Sequence, residues 1–129
     1  MPLPKEIIGY VKNLRGKRGN DYRKLPYLEK GSLKGMCMSS MQVADQFRGQ
    51  HWRSNEARGH SDQKRGHSVA VIPTRGQSGV IVDFTNPEAV IIGSVKNMDD
   101  ARTVAPKLEE CTGYSGWYNR DEVDSQYHK

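Results

Sequence analysis

The sequence predicts an α+β domain, and three observations carry that prediction. Two apolar runs rich in β-branched residues, Gly66-His67-Ser68-Val69-Ala70-Val71-Ile72 and Gly79-Val80-Ile81-Val82-Asp83-Phe84-Thr85, have the composition of buried strands. The cluster between them, Pro73-Thr74-Arg75-Gly76-Gln77-Ser78, consists of turn formers and makes the two runs an antiparallel pair. Two segments with apolar residues at helical spacing, at the start of the chain and around residues 37–48, supply helices to pack on that pair. A chain of 129 residues is enough for one core, so residues 1–129 are read as a single domain.

The elements follow in chain order. Residues 4–14 read as a helix: Pro4 suits the first turn, and Ile7, Ile8, Val11 and Leu14 form one apolar stripe, with Gly9 a weak point inside it. Residues 15–36 alternate glycines with basic side chains and read as a solvated loop, anchored by Tyr22, Leu25, Tyr27 and Leu28 around Pro26. Residues 37–48 read as a second helix, with Met38, Met41, Ala44 and Phe47 at helical spacing and Gly35 and Gly49 at its two ends. Residues 49–66 are polar and read as an irregular loop in which Trp52 is the one large apolar anchor. After the strand pair, residues 89–95 read as a third strand. Residues 97–112 read as a helix capped by Asn97, interrupted at Pro106 and ended by Gly113. The tail from Tyr114 has Trp117 and Tyr118 to dock with.

Composition and charge narrow the classes. No run of about 18 apolar residues exists, so no membrane-spanning helix is expected. The stretch Met1-Pro2-Leu3-Pro4-Lys5-Glu6 lacks the apolar core of a secretory signal, an absence that excludes neither export by another route nor excision from a longer parent chain, and the expected location is the cytosol of the producing or target cell. The net charge of +5 is uneven: residues 1–36 carry nine Lys/Arg against three Asp/Glu, and residues 80–129 carry five against nine. Such a front half can steer toward phosphates or acidic protein surfaces. The basic residues are scattered among glycines, however, without zinc-finger spacing or an RNA-binding motif. Nucleic acid is therefore the less favoured partner. The two cysteines, Cys37 and Cys111, fit either a disulfide or two free thiols, and a domain of this length does not need a staple, so both are read as reduced.

The chemistry centres on Cys37, His67 and Asp83. His67 starts one strand and Asp83 ends its antiparallel partner, so both return to the same edge of the sheet. There a carboxylate fixes the tautomer and orientation of an imidazole. Cys37 lies in the first turn of its helix, where the dipole favours the thiolate and free backbone N–H groups can hold an oxyanion. Together they make a nucleophile, a general acid–base and an orienting group. His51 and His60 fall in the polar loop with no strand to fix them, and His128 falls in the tail. A zinc site from His51, His60, His67 and Cys37 lacks compact ligand spacing, so no metal and no cofactor is expected. Cys111, at a helix C-terminus, is expected to be inert.

The order of a cysteine-bearing helix, a His-led strand and a strand ending in Asp resembles the papain-like fold, as seen in small papain-fold toxins and protein-glutamine deamidases. The overlap covers residues 37–85. It implies a papain-like core in which the nucleophile helix packs on a small antiparallel sheet. The implied chemistry is thiol-dependent acyl transfer on amide bonds through a Cys37–His67–Asp83 triad, with a protein substrate. It also implies a toxin or effector domain, delivered to the cytosol of a target cell, and an inhibitory immunity protein as a second partner. The sequence departs from ordinary peptidases of this fold: no Gln precedes Cys37, Met38 stands where many have Trp, and no Asn-Ser-Trp stretch follows Asp83. Asn20 is the side-chain amide assigned to the oxyanion position, with Asn13 the other amide upstream. These departures favour a deamidase over a peptidase. The rival expectation is a basic, non-catalytic domain that binds RNA or an acidic protein.

Overall fold

The run Ser68–Pro73 is buried on both of its faces, and the whole architecture follows from that. Ala70 and Ile72 point to one side of the sheet, Val69 and Val71 to the other, and all four are fully buried. A strand of this kind has to lie at the centre of a sheet covered on both faces. A computed structural model describes residues 1–17, 39–54, 67–86 and 88–122, and it has that form.

Five strands make one antiparallel sheet: β1 (Gln50–Ser54), β2 (Ser68–Pro73), β3 (Gly79–Val82), β4 (Ile91–Val95) and β5 (Trp117–Asn119), in the order β4-β3-β2-β1-β5. On one face, helix α1 (Pro4–Lys17) and a second helix α2 over residues 39–46 bury Ile7, Val11, Leu14, Val43 and Ala44 against Ala70, Ile72, Val82, Phe84 and Val90. On the other face, helix α3 (Ala101–Thr112) buries Val104 and Leu108 against Val69, Val71, Ile81, Val95, Trp52 and Trp117. Each fully buried aliphatic side chain in these layers contributes about 1.5–3 kcal/mol. The coarse class is thus α+β, with two covered faces.

The β2–β3 hairpin has the expected antiparallel pairing, Ala70 opposite Val82 and Pro73 opposite Gly79. Its turn is closed by the Thr74 N–H donating to the Ser78 carbonyl at 3.0 Å, with Gly76 in the left-handed region at φ 57°. Several expectations are corrected. Residues 49–66 are not all irregular: β1 lies inside them, and Trp52 is a core residue. The alternation in Gln50-His51-Trp52-Arg53-Ser54 is hidden because both faces of this strand carry polar side chains. Helix α1 runs three residues beyond Leu14, so Arg15 is helical and buried, not part of a solvated loop. Helix α3 starts at Ala101, capped by Asp100, whose carboxylate accepts the Arg102 N–H at 3.0 Å. Asn97 instead accepts the Asp99 N–H and closes the preceding turn. Pro106 lies inside the helix without ending it, and Gly113 ends it in the left-handed conformation at φ 79°. Strand β4 begins at Ile91 rather than residue 89. The tail supplies β5, a strand too short to be seen as an alternating run.

Helix α2 leads into β1 through Arg48, which has φ 55°, and Gly49. A Cβ built on Gly49 would stand 2.5 Å from the Val71 carbonyl oxygen and 2.7 Å from Ile72 Cδ1. The first of these is backbone of the central strand and cannot turn aside. Gly49→Ala is therefore expected to destabilise the fold by about 2–3 kcal/mol. Urea unfolding reads this directly, and an unchanged midpoint would show that the α2–β1 approach is looser than it stands.

Candidate functional site

His67 immediately precedes β2 and Asp83 immediately follows β3. Extending the pairing of Ala70 with Val82 sets Asp83 opposite Val69, and His67 lies two residues farther along on the same face. That diagonal is within reach of long side chains. The His67 Nε2–H donates to Asp83 Oδ2 at 2.7 Å, and both residues are buried, each 5% exposed. The second carboxylate oxygen, Oδ1, accepts from the Thr85 N–H at 3.0 Å and the Thr85 hydroxyl at 2.9 Å.

Burial works to raise the Asp83 pKa. The hydrogen bond and charge of His67, together with the two bonds from Thr85, outweigh it and hold the carboxyl below its usual range. Asp83 is therefore an anion at neutral pH. A carboxylate accepts only, so the bond to it fixes the proton of neutral His67 on Nε2 and leaves Nδ1 as the basic nitrogen.

Two aromatic residues cover this pair. The Tyr114 ring stacks on the His67 imidazole, with centroids 5.0 Å apart and planes 14° from parallel, and Trp117 meets it edge-on at 6.1 Å. Tyr114 lies in the connection between α3 and β5, and Trp117 is the first residue of β5. That connection is held by the Trp117 indole N–H donating to the Tyr114 carbonyl at 2.8 Å and by the Ser54 hydroxyl donating to the Ser115 carbonyl. Apolar cover lowers the local dielectric and strengthens the His67–Asp83 bond. No sequence spacing announces Tyr114 and Trp117 as neighbours of His67. They arrive because α3 crosses the sheet face and returns the chain beside β1.

The start of β2 is also tied to the other layer. The Ser40 hydroxyl, near the N-terminal end of the described part of α2, donates to the Ser68 carbonyl at 3.2 Å. The Ser68 hydroxyl shares a 2.6 Å hydrogen bond with His51 Nε2, and the His51 N–H donates to Asp121 at 3.3 Å. His51 is thus fixed on β1 and buried, which corrects the expectation of a histidine loose in a polar loop. His67 sits at the seam of the two layers: its ring packs under residues of the α3 face, and the residue after it is bonded to α2.

Cys37 and Asn20 lie outside the described residues, as do His60 and His128. Of the predicted site, the structure brings together His67 and Asp83. Asn13 stands exposed on α1. Cys111 is half-buried at the end of α3, and burial pushes its thiol pKa up, with Lys107 partly opposing, which keeps it in the unreactive protonated form. Among the described residues no group of three or more His, Cys, Asp and Glu side chains is placed to hold a metal ion, and no helix is long and apolar enough to cross a membrane.

No protein-family model, curated protein or solved structure matches this chain.

Proposed function

We propose that the protein is a cysteine-dependent amide hydrolase with a papain-like core and a Cys37–His67–Asp83 triad, acting on protein glutamine side chains as a deamidase, with peptide-bond cleavage the second reaction. The observation that carries this is the buried His67–Asp83 pair, oriented through Nε2 and covered by Tyr114 and Trp117. A structural histidine needs no anion held on three hydrogen bonds beneath two aromatic rings. An acid–base histidine does, because it must keep one tautomer and carry a positive charge in the transition state.

Covalent connectivity supports Cys37 as the third member. It precedes Ser40 by three residues, the spacing that shares a face if the helix extends back to it. Ser40 is bonded to the residue after His67. In the proposed reaction His67 Nδ1 takes the Cys37 thiol proton, and the thiolate attacks the glutamine Cδ. The tetrahedral oxyanion is held by backbone N–H groups of the helix start, with Asn20 as the side-chain donor. His67 then protonates the departing nitrogen, which leaves as ammonia, and a thioester remains. Water, deprotonated by His67, attacks the thioester and releases glutamate and the free thiol. Asp83 stays ionised throughout. A delivered effector or toxin, with an immunity protein as a further partner, is the biological setting this chemistry fits.

Iodoacetamide labelling across pH tests the proposal. Cys37 is expected to alkylate well below the pH at which Cys111 does, and Asp83→Asn is expected to move that profile toward ordinary thiol behaviour. Equal profiles for the two cysteines, together with salt-sensitive RNA binding, would favour a basic binding domain instead.

A further inference from the structure

Arg15 is the one basic residue of the expected solvated loop whose side chain is described, and it is buried, 6% exposed, in the last turn of α1. Its guanidinium reaches across to the segment that carries Asp83. Nε–H donates to the Phe84 carbonyl at 2.9 Å, and Nη2 donates to the Asp83 carbonyl at 3.2 Å and the Asn86 carbonyl at 2.7 Å. The same group stands 5.8 Å from the Phe84 ring centroid. Three carbonyls of four consecutive residues are gathered by one planar fork. The segment is tied elsewhere too: the Asp83 N–H donates to the Val90 carbonyl, and Asn86 accepts from the N–H groups of Glu88 and Ala89.

We propose that Arg15 is a positioning residue for the His67–Asp83 pair: by clamping the backbone of residues 83–86 it sets the Asp83 carboxylate on His67 Nε2. The His67 carbonyl accepts from the Ser54 N–H and the Asp83 N–H donates to the Val90 carbonyl, but the β2–β3 pairing ends at Ala70 and Val82 and does not itself join His67 to Asp83. Thr85 holds Oδ1 only if the backbone of Asp83 and Thr85 keeps its turn, and Arg15 is what the turn leans on. Guanidinium geometry matters here. A lysine keeps the charge but offers one flexible ammonium, without the Nε donor, and cannot hold three carbonyls at fixed angles. The Arg15 side chain is buried inside the domain rather than displayed on a surface for acidic partners.

Arg15→Lys is the test, read in two ways. In the ring NMR spectrum of histidine-labelled protein, the parent should show a slowly exchanging, downfield His67 Nε2–H. Arg15→Lys should broaden or lose that signal while unfolding stays cooperative. Ile7→Val, a core change on the same helix, should leave it in place. An unchanged signal in Arg15→Lys, or equal loss in Ile7→Val, overturns the proposal. The second readout rests on the hydrolase proposed above: kcat should fall about tenfold or more with KM nearly unchanged, the mark of a misplaced catalytic group rather than lost binding. An unchanged kcat beside a lost NMR signal would likewise overturn it. If Cys37→Ala leaves activity intact, the hydrolase fails, and the NMR comparison still decides the role of Arg15. Should Arg15→Lys not fold, Arg15→Gln, which keeps an amide donor, takes its place in the same comparison.

Discussion

Cys37→Ala is expected to abolish ammonia release from glutamine-bearing proteins, by at least about a thousandfold, while the unfolding midpoint stays near that of the parent. The change removes a single sulfur, whereas the acyl transfer has no path without it. His67→Ala should be about as damaging to turnover, because members of a triad act as a unit and their losses do not add. Unlike Cys37→Ala, it should also cost stability, since it leaves the Asp83 carboxylate buried without its partner. Asp83→Asn should be milder in turnover. The amide oxygen can still accept from Nε2–H and keep the ring oriented, but the contact loses its charge and the amide NH2 then faces the two Thr85 donors that Oδ1 had accepted. The difference between a charge-assisted and a neutral hydrogen bond is about 1–2 kcal/mol, or roughly five- to thirtyfold in rate. Cys111→Ser should be nearly silent in catalysis. A Cys37→Ala protein that turns over like the parent would remove the enzyme from consideration and leave the basic binding domain as the account to pursue.

The departures from papain-like peptidases acquire a physical sense beside the structure. No Asn-Ser-Trp stretch follows Asp83, yet the His67 ring is covered, by Tyr114 and Trp117 arriving on the same face of the sheet from the end of α3 and the start of β5. The requirement is for apolar cover over a hydrogen-bonded His–Asp pair, and any element that crosses that face can supply it.

The central hairpin could be read from the chain because its signals are local. Continuous β-branched runs around a turn cluster specify a doubly buried strand pair, and the period of two then delivers His67 and Asp83 to one edge. Residues 39–46 of the second helix and the Gly113 stop of α3 were readable for the same reason. What could not be read depends on tertiary contact. Strand β1 carries His51 and Ser54 because its neighbours satisfy them, Ser68 for His51 and Ser115 for Ser54, and polar residues so placed look like loop. Arg15 looks like part of a solvated basic run until the carbonyls of residues 83, 84 and 86, almost seventy positions away, are folded onto it. Pro106 looks like a break, but its neighbours Val104 and Leu108 are both fully buried, and that packing holds the helix through it.

Asp83→Asn is also expected to change how the fold responds to acid. The Asp83 carboxyl is held below its ordinary value in the folded protein, while in the unfolded chain it returns to about 3.9. The unfolded state therefore binds the proton first as pH falls. Stability contributed by the carboxylate is fully present above pH of about 4 and is lost progressively as pH drops through the lower folded-state pKa. Hydrogen bonds from His67 and the two donors of Thr85 all favour the anion, and all are weakened or reversed by protonation. At neutral pH, Asp83→Asn should cost about 2 kcal/mol, the scale of a buried charge-assisted hydrogen bond made neutral. Near pH of about 3 the parent should have lost part of that advantage, so the two urea midpoints should converge. Thr85→Val, which removes one of the two donors to Oδ1 and keeps the carboxylate, should show a smaller cost at neutral pH and a less steep acid limb than the parent. A constant gap between parent and Asp83→Asn from neutral pH down to about pH 3 would mean that Asp83 is not held as a stabilised anion. The electrostatic basis for His67 as an imidazolium-forming acid–base would then be gone.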